Sequence, residues 1–199
     1  MQFMRKIFIL LLTTFLLFSC WDDTAETTSS EKENTQTTTK KVGLRHYPWK
    51  DFSIKIPAAW NEITKNEDII PKPNNWKLEL AITSSETKNG FANNLIILSQ
   101  DLEKFTTSKN YSITNNIWAE NEYLNYFKKS GKEFSFLDWE KSMIYIFEAK
   151  YAAETPTLQF LQTAYVCKNK KAFFITMALP IEIKDTSKYE KMIATFECK

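Results

Sequence analysis

His46 and a few acidic residues are the first candidates for catalysis among the side chains of this chain. A serine–histidine or cysteine–histidine pair would need His46, because the sequence contains one histidine. His46 precedes the first predicted strand, so we expect it on the protein surface. Asp138 and Glu140 flank Trp139, and two carboxylates beside a sugar are the minimum for glycoside hydrolysis. A solvated face of a predicted strand explains this spacing more simply, so we predict no catalytic residues.

The sequence also lacks the usual patterns of metal and phosphate ligands. Neither HExxH nor Cys-x-x-Cys occurs, which argues against zinc. Asp101 and Glu103 could supply oxygen atoms to calcium, but calcium takes six or more ligands. The glycines at positions 43, 90 and 131 are too far apart to build one phosphate-binding loop. We therefore expect no metal and no cofactor.

Tryptophans are the residues best able to form a ligand-binding surface, because they stack on sugars and pack against apolar partners. Trp60 and Trp76 adjoin or begin predicted strands, and we expect them in the core. Trp118 lies at the margin of a predicted helical stripe. The sequence therefore predicts Trp118 and Trp139 as a possible binding surface.

The N-terminus reads as an export signal. Arg5 and Lys6 precede an apolar run over residues 7–18, which would span about 18 Å as a helix, against roughly 30 Å for a bilayer core. Such a run is typical of a signal peptide. The run ends in Leu17-Phe18-Ser19-Cys20, which resembles the lipobox of bacterial lipoproteins. That resemblance implies cleavage after residue 19 and acylation of Cys20; the alternative is an ordinary signal peptide with an incidental cysteine.

Beyond the signal, composition separates a linker from a folded domain. Nine of the twenty residues 22–41 are Ser or Thr and one is aliphatic, so we expect residues 20–41 to be disordered. Residues 42–199 are the predicted domain. The first 19 residues carry two basic side chains and no acidic one, so the remainder carries 24 of each sign. This balance gives no electrostatic drive toward nucleic acid.

Apolar periodicity predicts an α+β domain with an antiparallel sheet of about six to seven strands flanked by helices. Residues 61–75 and 83–94 read as loop or turn, and residues 168–171 as a hairpin loop. We expect residues 95–98 to be covered on both faces. The predicted strands are 52–56, 76–82, 95–98, 134–136, 143–151, 157–167 and 172–177.

Two helices complete the prediction. The first runs over about 112–129, with Ser112 or Thr114 as its cap and Gly131 as its stop. Its apolar stripe comprises Ile113, Ile117, Leu124 and Phe127. The second follows a capping box of Ser187 and Glu190. Its apolar face comprises Tyr189, Met192, Ile193 and Phe196, and we expect it to share one core with Phe52, Ile54, Ile56 and Trp60.

The segment Phe52-Ser53-Ile54-Lys55-Ile56-Pro57-Ala58-Ala59-Trp60 resembles the opening of PsbP-like domains, a superfamily that includes the DcrB-type bacterial lipoproteins. The resemblance covers roughly residues 47–196. It implies a central antiparallel sheet between helices, in an α/β/α sandwich. It implies no shared catalytic residues, because the characterised members act mainly by binding other proteins or assisting assembly.

Two cysteines remain after Cys20 is assigned to lipid. Cys167 ends a predicted strand and Cys198 follows the last helix. Exported domains meet compartments that permit disulfides, so we predict a Cys167–Cys198 bond. The alternative is a buried free Cys167 with an exposed Cys198.

Together these observations predict a lipid-anchored protein on the extracytoplasmic side of a bacterial membrane. We expect a non-enzymatic protein-interaction or envelope-assembly module, with an envelope or membrane-proximal protein as partner and no nucleic acid. The alternative is a binder of a small or carbohydrate ligand through exposed aromatics, and a carboxylate-based hydrolase is least favoured. An exposed apolar patch would favour the first function, and a large apolar pocket the second.

Overall fold

The computed structural model describes residues 43–64 and 75–199. The predicted signal peptide, Cys20 and the linker to residue 41 lie outside the described residues. The helices are α1 (Ser108–Glu122) and α2 (Ser187–Ile193). The strands are β1 (Leu44–Pro48), β2 (Phe52–Pro57), β3 (Asn61–Glu62), β4 (Lys77–Lys88), β5 (Phe91–Asp101), β6 (Leu124–Ser135), β7 (Lys141–Lys150), β8 (Leu158–Val166), β9 (Lys171–Pro180) and β10 (Glu197–Cys198).

The strands form two antiparallel sheets. The large sheet has seven strands in the order β3-β4-β5-β9-β8-β7-β6, and the small sheet has three in the order β1-β2-β10. The predicted α+β class is confirmed, and the strand number of the large sheet lies at the upper end of the expected range. Within residues 43–64 and 75–199, neither helix has the length and apolarity needed to span a membrane.

One core joins the small sheet and α2 to one face of the large sheet. Alternation in β2 turns Phe52, Ile54 and Ile56 into this core, where each has no exposed surface. Phe196, just after α2, stacks on Phe52 with ring centroids 5.1 Å apart. Trp60 belongs to the same cluster. The predicted common core of β2, Trp60 and the terminal helix is therefore confirmed.

The long helix differs from its prediction. It begins four residues earlier and ends seven residues earlier than the predicted 112–129. Its N-cap is Thr107, whose hydroxyl accepts a hydrogen bond from the Asn110 N–H at 3.1 Å, so the predicted caps at Ser112 and Thr114 are wrong. Leu124 and Phe127 belong to β6, where an irregular register mimics helical spacing.

Gly131 has a different function from the predicted helix stop. It lies inside β6, and a Cβ atom placed there would come within 2.9 Å of the Tyr145 ring. The glycine therefore permits a close approach between β6 and an aromatic side chain of β7.

Smaller differences concern element ends. The interval 83–94 was predicted to be turn, but β4 and β5 extend through most of it, and Asn89 and Gly90 alone remain as a positive-φ turn. The cap of α2 is Thr186 rather than Ser187, and the Thr186 hydroxyl donates to Glu190 Oε1 at 2.8 Å. Residues 95–98 are buried on one face of β5 and half-buried on the other.

Candidate functional site

The long helix packs on the large sheet through a mainly polar side. Its buried residues are Ser108, Tyr111, Ser112, Asn116 and Ala119, and the three polar ones are spaced four residues apart. They face β7 and β8, the strands that α1 contacts most. An ordinary surface helix would turn its apolar side toward the sheet. The helix α1 therefore has the opposite orientation: its polar side faces the sheet and its apolar side faces solvent. The cause is a gap in the pairing of β7 with β8.

The serines of α1 replace missing hydrogen bonds between two strands. Pairing of β7 with β8 ends at Tyr145 and Gln162, although β8 continues to Val166. In the gap, the Val166 N–H donates to Ser108 Oγ at 2.8 Å. The Met143 carbonyl accepts from Ser112 Oγ at 2.8 Å. Because buried backbone groups need partners, these bonds fix the rotation of the helix.

Because the polar side of α1 faces the sheet, its apolar side faces solvent. Ile117 and Trp118 of α1 are 65% and 56% exposed. Ile113 and Leu124 are exposed as well. We call these four residues the α1–β6 surface. Phe127 of β6 is also exposed, but it pairs with Glu148, which faces the opposite side of the sheet from Phe147 and α1. The sequence predicted Ile113, Ile117, Leu124 and Phe127 as a buried helical stripe, and that prediction is wrong, whereas the predicted exposure of Trp118 agrees with the structure.

Charged side chains border the α1–β6 surface. Lys109, in the first turn of α1, pairs with Glu133 of β6. Lys128 lies over the Tyr145 ring, 4.8 Å from its centroid. The surface therefore has an apolar centre and a charged rim, which is the usual anatomy of a protein–protein interface.

An aromatic layer lies beside the end of α1. Tyr123 packs against Phe147 and Phe160, with centroids 5.3 and 4.8 Å away. Burial raises the pKa of Tyr123 well above its ordinary value, and its hydroxyl accepts a hydrogen bond from Gln162 Nε2 at 3.1 Å. The Tyr151 hydroxyl and Gln162 Oε1 are buried without a protein partner. Ordered water can satisfy such groups.

The second predicted binding residue, Trp139, occupies a turn instead of a strand. It lies between β6 and β7, is 86% exposed and has φ of +72°. Asp138 accepts hydrogen bonds from the Tyr165 hydroxyl and from the Glu140 N–H. The prediction of two carboxylates on one strand face is therefore wrong. The structure does not bring Trp139 and Trp118 onto one element.

Among the residues that the structure describes, Glu79 of β4 is the most buried charged side chain, with 1% of its surface exposed. Its carboxylate accepts hydrogen bonds from Ser99 Oγ at 2.7 Å and Trp49 Nε1 at 3.0 Å. Lys171 Nζ lies 3.1 Å from it and also pairs with Asp51. Burial opposes ionisation, but these bonds and one from Lys77 outweigh it and lower the pKa to about 2. The group ties the small sheet to the large one, which is a structural role.

Sequence reasoning missed Glu79 because its neighbours suggested an outward residue. Leu78 and Leu80 flank it, so simple alternation would place Glu79 on the solvent face. A register shift between Leu78 and Leu80 breaks that alternation. Apart from Lys77 of the same strand, the bonding partners come from β5, β9 and the turn between β1 and β2, and nothing in the local sequence indicates them.

The remaining predicted candidates do not assemble into a site. His46 is exposed on β1. Within the part of the chain that the structure describes, no group of three His, Cys, Asp or Glu side chains could hold a metal. A cleft of about 320 Å³ lies at the end of the sheet opposite Trp139, between Phe91, Leu158, Pro180 and Glu182.

A disulfide joins Cys167 to Cys198 across a Cα–Cα distance of 5.9 Å. Cys198 belongs to β10, which pairs with β2. The bond therefore connects the β8–β9 hairpin to the last strand of the small sheet. The alternative of two free thiols does not apply to this structure.

Comparisons with known proteins support the fold. No family model and no curated protein matches the chain. The solution structure of cyanobacterial PsbP from Synechocystis sp. PCC 6803 matches with a TM-score of 0.51 and 11% identity, over 81% of this chain and 96% of that one. A Pseudomonas aeruginosa protein of unknown function gives a TM-score of 0.48 and 9% identity, over 76% and 94%. The first comparison shows a PsbP-like fold for this chain.

Proposed function

We propose, from the PsbP-like fold and the α1–β6 surface, that the protein is a non-enzymatic protein-interaction or envelope-assembly module. The PsbP-like fold is compatible with a non-enzyme. The observation that carries the proposal is the α1–β6 surface itself. Contiguous exposed apolar residues with a polar rim mark sites where another macromolecule binds.

The exposure of this surface is built into the fold. If α1 turned to bury Ile113 and Ile117, the Val166 N–H would lose Ser108 Oγ as its acceptor, and the Met143 carbonyl would keep only the bond from Thr163 Oγ1. A buried backbone N–H left without a partner costs about 1–3 kcal/mol. The fold thus holds the apolar side of the helix outward, as a docking surface requires.

The proposed partner is an envelope or membrane-proximal protein. The proposal places the domain on the extracytoplasmic side of a membrane, held by acylated Cys20 and a linker to residue 41. A flexible linker of about 20 residues has a root-mean-square span of roughly 25 Å. The domain would therefore meet proteins close to the membrane.

Membrane anchoring has its own test. Cys20→Ala should release the chain from membranes or leave an uncleaved precursor, because two or more acyl chains are what hold a lipoprotein to its membrane. Fractionation and gel mobility measure both outcomes. Equal partitioning and equal mobility of the variant and the parent chain would contradict anchoring through Cys20.

The interaction role is tested by crosslinking in the native membrane. A photoreactive residue in place of Trp118 should give discrete crosslinked species, and Ile117→Asp in the same chain should remove them. A photoreactive residue in place of Leu44, which is also exposed but lies on β1, is the matched control. Identical crosslinks from both positions, or none from Trp118, would contradict the proposed docking surface.

A second candidate function is binding of a carbohydrate at Trp139. The observation that favours it is the positive φ of this exposed tryptophan, since such backbone strain gathers at functional sites. Titration with soluble cell-wall oligosaccharides should quench tryptophan fluorescence in the parent chain and not in Trp139→Ala. Equal quenching in both chains would contradict this function.

A further inference from the structure

The exposed stripe of α1 carries a charge pattern that is complementary to itself. Lys109, Ile113, Ile117 and Glu120 follow one another at spacings of four, four and three residues, so they lie along one side of the helix. A positive side chain begins the stripe, a negative one ends it, and two isoleucines lie between them. Ile113, Ile117 and Glu120 are exposed, and the Lys109 side chain is 43% exposed.

An antiparallel pair of such helices places opposite charges together at both ends. A two-fold axis that crosses the exposed stripe at the level of residue 115 along the helix places Ile113 opposite Ile117 of a second copy. Lys109 then faces position 121 of the second copy, next to its Glu120. Both contacts lie about 9 Å from the axis at 1.5 Å rise per residue. A parallel pair would set Lys109 against Lys109 and Glu120 against Glu120.

The positions of Lys109 and Glu120 at the two helix ends also favour a partner with opposite charges. Lys109 lies in the first turn and Glu120 in the last, which is the reverse of what the helix dipole favours. Within residues 43–64 and 75–199, Glu120 takes part in no ion pair. An antiparallel second copy would bring a lysine to each acidic helix end, while Lys109 keeps Glu133 as an intrachain partner.

We propose that the partner of the α1–β6 surface is a second copy of this chain, bound through antiparallel packing of the two α1 helices. The inference rests on the proposed interaction function and names the occupant of the same surface. A two-fold interface of this kind is self-complementary and closes at two copies. Trp118 lies on the flank of the stripe, where it would border the contact.

Charge reversal tests the pairing. In Lys109→Glu, residue 109 would face Glu120 of the second copy with the same sign, and in Glu120→Lys, residue 120 would face Lys109. Each change alters two symmetric contacts and should weaken dimerisation roughly tenfold or more. The double variant, Lys109→Glu with Glu120→Lys, restores opposite charges and should recover an affinity close to that of the parent. Sedimentation of the full-length chain in detergent, over a range of concentrations, measures the dissociation constants.

The outcomes distinguish a dimer from a surface that binds a different protein. Glu120→Lys breaks no ion pair among the described residues, so its circular dichroism should match the parent spectrum. A chain that stays monomeric up to about 100 μM, or a double variant no tighter than the single ones, would overturn the dimer. Crosslinks from Trp118 to a different protein, together with a monomeric chain, would leave the proposed function standing and refute this inference. Absence of both would refute both.

Discussion

At the scale of single residues, the Glu79 carboxylate shows how a buried charge can be made structural. Ser99, Trp49, Lys77 and Lys171 all donate to it. Its lone pairs are used by residues of the same fold, so none is directed toward a substrate. A strongly lowered pKa by itself would suggest a functional site. The complete set of partners indicates a link between the two sheets instead.

This link makes stability depend on acid. The pKa of Glu79 is about 2 in the folded chain and 4.5 ordinarily. The unfolded chain therefore takes up a proton first as the pH falls, and the contribution of Glu79 is lost between about pH 4.5 and 2. In Glu79→Gln, this part of the pH dependence should disappear. Urea unfolding at several pH values measures it.

The same substitution should also lower stability at neutral pH. Removal of the carboxylate leaves Lys171 near Asp51 alone, and breaking a buried charge pair costs on the order of 3–5 kcal/mol. Glu133→Gln is the matched control, because Glu133 has an exposed side chain and pairs with Lys109 at the surface. Surface pairs contribute about 0–1 kcal/mol. Equal effects of the two substitutions would contradict the role assigned to Glu79.

At the scale of elements, the orientation of α1, with its polar side against the sheet, is what exposes the α1–β6 surface. The hydroxyl groups of Ser108 and Ser112 bond to backbone groups of β8 and β7 where the pairing of these two strands has ended. The polar side of the helix is consequently the side with specific partners. The apolar side has none within residues 43–64 and 75–199, apart from side chains of its own surface.

Ser108→Ala tests directly whether the hydroxyl bonds of α1 fix its orientation on the sheet. The Val166 N–H would lose its acceptor in a buried position, so the free energy of unfolding should fall by about 1–3 kcal/mol. Thr114→Ala is the matched control, because the Thr114 hydroxyl donates to the Asn110 carbonyl on the exposed side of the same helix. We expect a change within about 0.5 kcal/mol for the control. Denaturant unfolding compares the two, and equal losses would contradict the proposed role of Ser108.

The elements that the sequence predicted correctly are those with clear periods and one apolar face. Phe52, Ile54 and Ile56 alternate, and Met192, Ile193 and Phe196 follow helical spacing. The residues of both patterns pack in the same core. In such segments, burial of the apolar face dominates, and the local sequence contains that information.

The helix α1 could not be placed in the same way. Its buried side contains Ser108, Ser112 and Asn116 beside Tyr111 and Ala119, and nothing in a mainly polar side shows that it faces inward. The reason for its burial is the gap between β7 and β8, which is a property of distant strands. Apolar spacing therefore assigned Ile113 and Ile117 to the core and extended the helix into β6.

At the scale of the whole molecule, the core between the sheets is the main source of stability. Trp60 is largely buried in it, and Arg45 of β1 donates to the Trp60 carbonyl at 3.1 Å. Trp60→Ala should lower the free energy of unfolding by about 3–5 kcal/mol. Trp139→Ala, which removes an exposed tryptophan, should change it by about 0.5 kcal/mol or less. If both leave the denaturation midpoint unchanged, Trp60 is not part of the core.

The Cys167–Cys198 bond completes the molecule by fixing the last residues of the chain. The final strand, β10, has two residues paired with β2, and the Glu197 carboxylate accepts from Ser53 Oγ at 2.6 Å. Such a short terminal segment would otherwise fray. Phe196 precedes it and is 1% exposed, so fraying would reach the core. The disulfide thus protects one end of the core between the sheets.

The contribution of this bond follows from the loop it closes. The two cysteines are 31 residues apart, and the chain-entropy model gives about 3–4 kcal/mol for such a loop. Cys198→Ser should therefore lower the free energy of unfolding by about that amount under oxidising conditions. Addition of a reductant should bring the parent chain close to the variant. Thiol titration of unfolded, unreduced Cys20→Ala chain, which has two cysteines, should find none free. Two titratable thiols would mean that the exported protein does not contain the bond.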